Sequence, residues 1–117
     1  MKLRFFALAV LLLALAEVSQ AQSSHSVSLS CTAPGDFSAG DSFNFYRGTV
    51  TGGPYTKINT ASVTVCAFTD LTVTEGATYF YVATHVAASS SLESVFSNEV
   101  QARILPSPPT SLVATVK

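Results

Sequence analysis

Short runs in which apolar and polar residues alternate recur along the chain after its first two dozen residues. These runs are Val27–Cys31, Phe43–Tyr46, Ser62–Phe68, Thr78–Val86 and Val95–Ile104, and the short segment Tyr55–Ile58 leads out of a tight turn at Thr51–Pro54. Clusters of Gly, Ser, Asp and Pro separate them, and none sustains the 3.6-residue period of an amphipathic helix. Closely spaced strands joined by turn residues are typical of a β-sandwich, so the pattern predicts an all-β domain.

The run Ser62–Phe68 contains two competing alternations. Val63 and Val65 share one face of a strand, whereas Cys66 and Phe68 share the other. Because successive side chains point to opposite faces, a regular strand cannot bury both pairs. A bulge or a twist between them would reconcile the two patterns.

The first 21 residues predict a secretory signal peptide. Lys2 and Arg4 form a positive start, Phe5–Ala16 is an apolar stretch, and Ser19–Ala21 has the small residues of a cleavage site. Cleavage is expected after Ala21, with Ala14–Ala16 as the alternative site. The apolar stretch is shorter than the roughly 20 residues that a spanning helix needs, so no membrane segment is expected after cleavage.

The mature chain, residues 22–117, is a single-domain length with few charges. Its four basic and six acidic side chains give a formal charge of −2. It has no basic cluster, which argues against nucleic-acid binding. Its two cysteines, Cys31 and Cys66, are an even number in a chain predicted to be exported, which suggests a disulfide. Two separate buried thiols are the alternative.

The sequence contains no recognisable catalytic, metal or cofactor motif. A nucleophile elbow, a phosphate-binding loop and a paired-cysteine zinc pattern are all missing. His85 shares the parity of Tyr79 and Tyr81, so we expect it to point inward, either as a hydrogen-bonded core residue or as a pH-sensitive group. Asp36 and Asp41 share a loop in which ordinary turn chemistry is the expected role and cation binding the alternative. We therefore expect no enzyme, no cofactor and no metal.

As a set, four segments resemble a fibronectin type III domain of the kind found in exported bacterial proteins. His25–Pro34 resembles strand B of that family and Phe43–Asn59 resembles strands C and C′. Phe68–Val86 is similar to the end of strand E, the following corner and strand F, and Glu93–Ile104 is similar to strand G. The resemblance implies an immunoglobulin-like sandwich of two sheets over residues 22–105, with residues 106–117 as a linker or the start of a second repeat.

The resemblance also implies roles for three residues. Tyr79 matches the tyrosine corner, in which a hydroxyl bonds back to the backbone while the ring fills the end of the core. Cys31 stands where the family usually has Trp, and the chain contains no Trp. Because strands B and E are neighbours in the family, Cys31 and Cys66 could be bridged, and the bridge would offset the missing indole.

Strand A of the family is missing before His25, whereas a strand A-like pattern ends the chain at residues 108–117. Three interpretations stay open: a second repeat in a truncated product, a flexible linker, or a donor strand. In the third, Leu112, Ala114 and Val116 would face the core of a neighbouring copy stacked head to tail.

The function expected from these features is a non-catalytic, extracytoplasmic spacer or interaction module, secreted, periplasmic or at the cell surface. The alternatives are a self-associating structural subunit and a fragment of a larger multidomain secreted protein or carbohydrate-active enzyme. The family implies a protein or a cell-surface glycan as partner. The connection Ala87–Glu93 is small and polar, so it favours binding no more than spacing.

Overall fold

A computed structural model describes residues 25–117, and the predicted signal peptide lies outside the described residues. The described part contains six strands and no helix, so none of its segments is a helix long and apolar enough to cross a membrane. The strands are β1 (Val27–Ser30), β2 (Ser42–Gly48), β3 (Thr56–Lys57), β4 (Ala67–Asp70), β5 (Thr78–Val86) and β6 (Val100–Arg103).

The strands form two antiparallel sheets, which confirms the predicted all-β, immunoglobulin-like architecture. One sheet pairs β1 with β4, and the other has the order β3-β2-β5-β6. The register places Val27 opposite Asp70 and Thr78 opposite Arg103 at one end of the sandwich, which we call the corner end. Ser42 lies opposite Val86 at the other end, the loop end.

The core is built from side chains of alternate strand positions. Phe43, Phe45 and Cys66 form one cluster towards the loop end, and Tyr79, Tyr81 and Ile104 form another towards the corner end. Phe45 stacks on Phe68 across the two sheets, with ring centroids 5.5 Å apart. Aromatic rings therefore occupy the interior of a domain that lacks an indole.

The predicted strand Ser62–Phe68 is wrong as a single strand. Val63 forms an isolated bridge with Phe43 of the four-stranded sheet, whereas Ala67 begins β4 of the other sheet. The chain bends at Val65 and Cys66 and crosses between the sheets there. This change of sheet explains the two competing alternations: Val63 and Cys66 pack inward from opposite layers.

The predicted strand Val95–Ile104 is also shorter in the structure, because its first half pairs irregularly with β5. Ser94 lies beside His85 and Ser97 beside Ala83, each serine using its amide as donor and its hydroxyl as acceptor for one β5 residue. Val100 is the next partner, opposite Tyr81. Two residues along β5 therefore correspond to three residues along the segment that pairs with it, and this happens twice, as in two successive bulges.

The two-stranded sheet has an open edge at β1. Among the described residues no strand precedes β1, and its one partner is β4. Residues 105–117 follow the buried Ile104, belong to no strand, and are all exposed.

Candidate functional site

A buried carboxylate organises the corner end of the sandwich. Asp70 is 2% exposed, and its Oδ2 accepts hydrogen bonds from Arg47 Nη1 at 2.8 Å and from the Tyr81 hydroxyl at 2.9 Å. Its Oδ1 accepts from the amide and the hydroxyl of Thr72 at 2.9 and 2.7 Å. The carboxylate therefore ties β4 to both central strands of the opposite sheet.

These hydrogen bonds shift the pKa values of Asp70 and Tyr81. Burial alone would raise the pKa of Asp70, but hydrogen bonds from Thr72, Arg47 and Tyr81 outweigh it, and the pKa is lowered. Burial and the bond to the Asp70 carboxylate both raise the pKa of Tyr81. A carboxylate saturated by four donors has little capacity left for a substrate or a metal ion, so its chemistry is structural.

Tyr79 closes the same end of the molecule. Its hydroxyl oxygen accepts a hydrogen bond from the amide of Thr74 at 3.0 Å, and its ring packs in the core cluster with Ile104. The guanidinium carbon of Arg47 lies 4.8 Å from the centre of the ring, a cation–π distance. The contacts hold the connection from β4 to β5 against the sandwich.

Cys31 and Cys66 form a disulfide that joins the ends of β1 and β4. Their Cα atoms are 5.1 Å apart, and the amide of Cys31 also donates to the carbonyl of Cys66 at 2.9 Å. Cys66 packs in the cluster of Phe43 and Phe45. The bridge thus links the exposed Cys31 at the end of β1 to a cysteine buried in this cluster.

His85 points inward at the loop end, where it pairs with Asp41. Its Nε2 lies 2.7 Å from Asp41 Oδ2, and its ring packs against those of Phe37 and Phe43. Asp36 is exposed, with Oδ1 3.9 Å from His85 Nδ1. The ring nitrogens meet carboxylates, whereas nucleophilic catalysis places a hydroxyl or thiol beside the base.

Asp41 also fixes two loops. Its carboxylate accepts hydrogen bonds from the amides of Ala88 and Ser38, both at 2.9 Å. These two bonds, followed by the bond to His85, lower the pKa of Asp41 to about 2. The Asp41 carboxylate therefore acts as a loop anchor. No group of three or more His, Cys, Asp or Glu side chains within residues 25–117 is arranged to hold a metal ion.

The outer face of the four-stranded sheet carries an aromatic cluster. The Phe96 ring, 49% exposed, contacts Tyr46 and Tyr55 edge-on at centroid distances of 5.2 and 5.3 Å. The Tyr46 hydroxyl donates to Glu93, and the Tyr55 hydroxyl donates to Glu99. Both carboxylates pin the irregular segment before β6 to this face.

An uncharged groove runs beside the open edge of β1, in the seam between the two sheets. It has a volume of about 390 Å³. Its lining includes Leu29 and Cys31 of the β1 side, Phe45 and Ala83 of the opposite sheet, and Val100 of β6. A smaller hollow of about 170 Å³ continues it along the disulfide towards His85.

Sequence reasoning missed the Asp70 centre, the Glu93 and Glu99 anchors and the groove. The spacing of Ser94, Ser97 and Val100 was the one signal for the irregular pairing. The groove had no sequence signal beyond the strand missing before β1. Leu112, Ala114 and Val116 are brought to no core in the structure, and Leu112 and Val116 are 94% and 96% exposed.

A solved structure described as an Fn3-like protein from Clostridium thermocellum is similar to this chain. The two share 31% sequence identity and a TM-score of 0.56, and the alignment covers 74% of this chain and 83% of the other. This chain belongs to the fibronectin type III-like proteins. The fibronectin type III-like assignment agrees with the sheet order and the corner tyrosine.

Part of the domain is also similar to a much larger protein. Over 61 residues, or 52% of this chain, it is 48% identical to amylopullulanase from Thermoanaerobacter thermohydrosulfuricus, and the matched stretch is 4% of that protein's length. No protein-family model matches the chain.

Proposed function

We propose that this fibronectin type III-like domain is a non-catalytic spacer or interaction module that works outside the cytoplasm. The observation that carries the proposal is the match to 4% of amylopullulanase, because a segment of this kind there forms a small part of a large enzyme. The disulfide supports an oxidising compartment, as does the signal-like beginning of the sequence.

The acidic and polar side chains described above are occupied by structural bonds, which supports a non-catalytic role. The hydrogen-bonding capacity of Asp70 is filled within the fold, and Asp41 and Glu93 each accept three bonds. A catalytic site instead holds groups whose partners are supplied by the substrate.

The test uses purified residues 22–117 with the disulfide intact. Release of reducing sugar from starch and from pullulan is measured beside an authentic hydrolase, and we expect no release above the buffer blank. Electrophoresis through gels containing either polysaccharide then separates the two non-catalytic roles. Retarded migration supports an interaction module, and unchanged migration supports a spacer. Turnover that persists after repurification would contradict the proposal.

If migration is retarded, Phe96→Ala tests the aromatic outer face. Its half-exposed ring is suited to stacking on the apolar face of a sugar, so its loss should abolish the retardation. Leu71→Ala is the matched control, because it removes an exposed apolar side chain elsewhere on the domain.

A second candidate is that the chain operates as part of a larger secreted protein or carbohydrate-active enzyme. The same amylopullulanase match favours it. An antibody raised against residues 22–105 should then detect a native protein much larger than 12.3 kDa in the culture medium. A native band at the size of the mature chain alone would exclude this candidate.

A further inference from the structure

We propose that the groove beside β1 binds the C-terminal segment of a second copy of this chain, which adds a strand to the two-stranded sheet. The proposal goes beyond a spacer role and does not depend on a polysaccharide ligand. It rests on the unpaired edge, the chemistry of the groove, the pattern of the C-terminal segment and the direction in which that segment leaves the domain.

Within residues 25–117, no strand pairs with the edge of β1 that faces away from β4, so this edge offers unpaired backbone groups. The backbone of Cys31 forms a hydrogen-bonded pair with that of Cys66. Because such pairs alternate along an antiparallel ladder, the backbone groups of Leu29 and Val27 also point towards β4. Ser28 and Ser30 therefore direct their amides and carbonyls to the open side. An edge with such groups is a template for another strand. The edge of β4 is open as well, but the groove is lined by residues of β1 and by none of β4.

The groove and the C-terminal segment match in polarity. The lining contains no charged side chain, and residues 105–116 also carry none. Leu112, Ala114 and Val116 share one face of an extended strand, as Val27 and Leu29 do in β1. Docking would bury Leu112 and Val116, which are nearly fully exposed, without burying a charge.

The direction of the chain favours a second molecule. A strand antiparallel to β1 must enter at the loop end, whereas β6 leaves the domain at the corner end. The nine residues of β5 span about 30 Å, and residues 105–111 reach at most about 25 Å when fully extended. Entering its own domain in the antiparallel direction would therefore require the segment to be fully extended along the domain, with no residues to spare for the reversal.

Docking within one molecule would otherwise require the parallel direction and a tight reversal after Ile104. Pro106, Pro108 and Pro109 stand at that point, and proline-rich segments are stiff and extended. Parallel pairing is also slightly less stable per residue than antiparallel pairing. The C-terminal segment can enter the loop end of a neighbouring copy without a tight reversal and without parallel pairing. The two copies then contact each other head to tail.

The first experiment measures the mass of residues 22–117 by light scattering over a range of concentrations. We expect mass to rise above that of the monomer with concentration, and residues 22–105 to stay monomeric. Leu112→Asp should also give a monomer, whereas Val113→Asp, on the opposite face of the same strand, should associate like the parent chain. Because the segment lies outside the core, these variants keep the domain folded, which their melting temperatures verify.

The second experiment adds a synthetic peptide of residues 106–117 to residues 22–105 and measures binding by calorimetry. Replacing Leu112 by Asp in the peptide should weaken binding roughly tenfold or more, the effect of losing one buried leucine. Ser30→Pro in the acceptor removes an amide from the open edge without touching the β4 ladder, and it should weaken binding too.

Three outcomes overturn the proposal. A parent chain that is monomeric at every concentration, with a peptide that does not bind, excludes any docking. A monomer whose melting temperature falls when the segment is removed shows that the segment docks on its own domain. Association that survives both Leu112→Asp and Ser30→Pro places the contact elsewhere.

Discussion

At the scale of single residues, the fold depends on polar groups that connect distant strands. Asp70, Asp41, Glu93 and Glu99 each accept bonds from at least two other parts of the chain. A domain with few charges thus uses most of its carboxylates as internal connectors. Hydrogen bonds to charged groups contribute more than neutral ones, so these few residues stabilise the fold out of proportion to their number.

Removing one hydroxyl tests the corner. Tyr79→Phe keeps the ring in the core but leaves the Thr74 amide without its acceptor, and we expect the free energy of unfolding to fall by about 1–2 kcal/mol. Urea unfolding at pH 7 measures it. Thr60→Val is the control, because it removes an exposed hydroxyl that makes no hydrogen bond within residues 25–117, and no loss is expected there. Equal losses would show that the corner bond has no special weight.

Asp41 makes stability depend on pH in the acid range. Its pKa of about 2 in the folded state lies below its ordinary value of 3.8, so the unfolded state takes up the proton first as the pH falls. Its contribution to stability is therefore complete above about pH 5 and is lost as the pH falls through 4 towards 2. The lowered pKa of Asp70 acts in the same direction.

Urea midpoints at pH 6, 4 and 3 measure this effect. We expect Asp41→Asn to lower the midpoint at pH 6 and to flatten the decline towards pH 3. Asp36→Asn is the control, because its carboxylate is exposed, and it should leave the decline as steep as in the parent chain. A parent chain equally stable at pH 6 and pH 3 would contradict the assigned role.

At the scale of elements, the junction between β5 and β6 relies on two serines. Each hydroxyl accepts the amide of the β5 residue beside it, Ser94 for His85 and Ser97 for Ala83. Replacing both by Ala leaves two amides without acceptors, so we expect a loss of about 2–3 kcal/mol. Amide exchange of His85 and Ala83 should accelerate more than that of Tyr81. Replacing Ser62 and Ser89, both exposed and without a hydrogen bond within residues 25–117, should change neither quantity.

The elements that the sequence predicted well are those with one uninterrupted alternation. β5 lies at the predicted residues, because Tyr79, Tyr81, Ala83 and His85 keep one parity over seven of its nine positions. The predictions were wrong at Ser62–Phe68 and Val95–Ile104. Within Ser62–Phe68 the chain moves from one sheet to the other. Beside Val95–Ile104, serine hydroxyls accept the β5 amides that a backbone carbonyl would accept in a regular strand pair. Both events depend on neighbouring strands, so a pattern read along one strand cannot locate them.

The candidate sites were likewise predictable only where a local sequence pattern marked them. The cysteines and Tyr79 could be singled out from their places in a known pattern. Asp70 could not, because its partners Arg47 and Tyr81 are distant in sequence and meet it only after the sheets pack. The groove is a property of the edge between two sheets and belongs to no single motif.

At the scale of the whole molecule, the disulfide constrains the unfolded chain. It joins residues separated by 35 positions, and closing such a loop contributes about 3–4 kcal/mol on the chain-entropy model. We expect the Cys31→Ala, Cys66→Ala double variant to unfold at much lower denaturant concentration than the parent chain. The reduced parent chain is the control for lost packing, and it should match the variant closely. Equal stability of all three would contradict this role.

The three-against-two pairing between β5 and the segment before β6 has a practical consequence. The register on either side is set separately, by Val100 opposite Tyr81 and by Glu93 opposite Val86. Val95 and Phe96, both exposed, lie between the two serine anchors. Extra residues placed between them would separate the Phe96 ring from Tyr46 and Tyr55, so a foreign peptide for display is better grafted between the exposed Ser89 and Ser90, ahead of the pair that Glu93 forms with Val86.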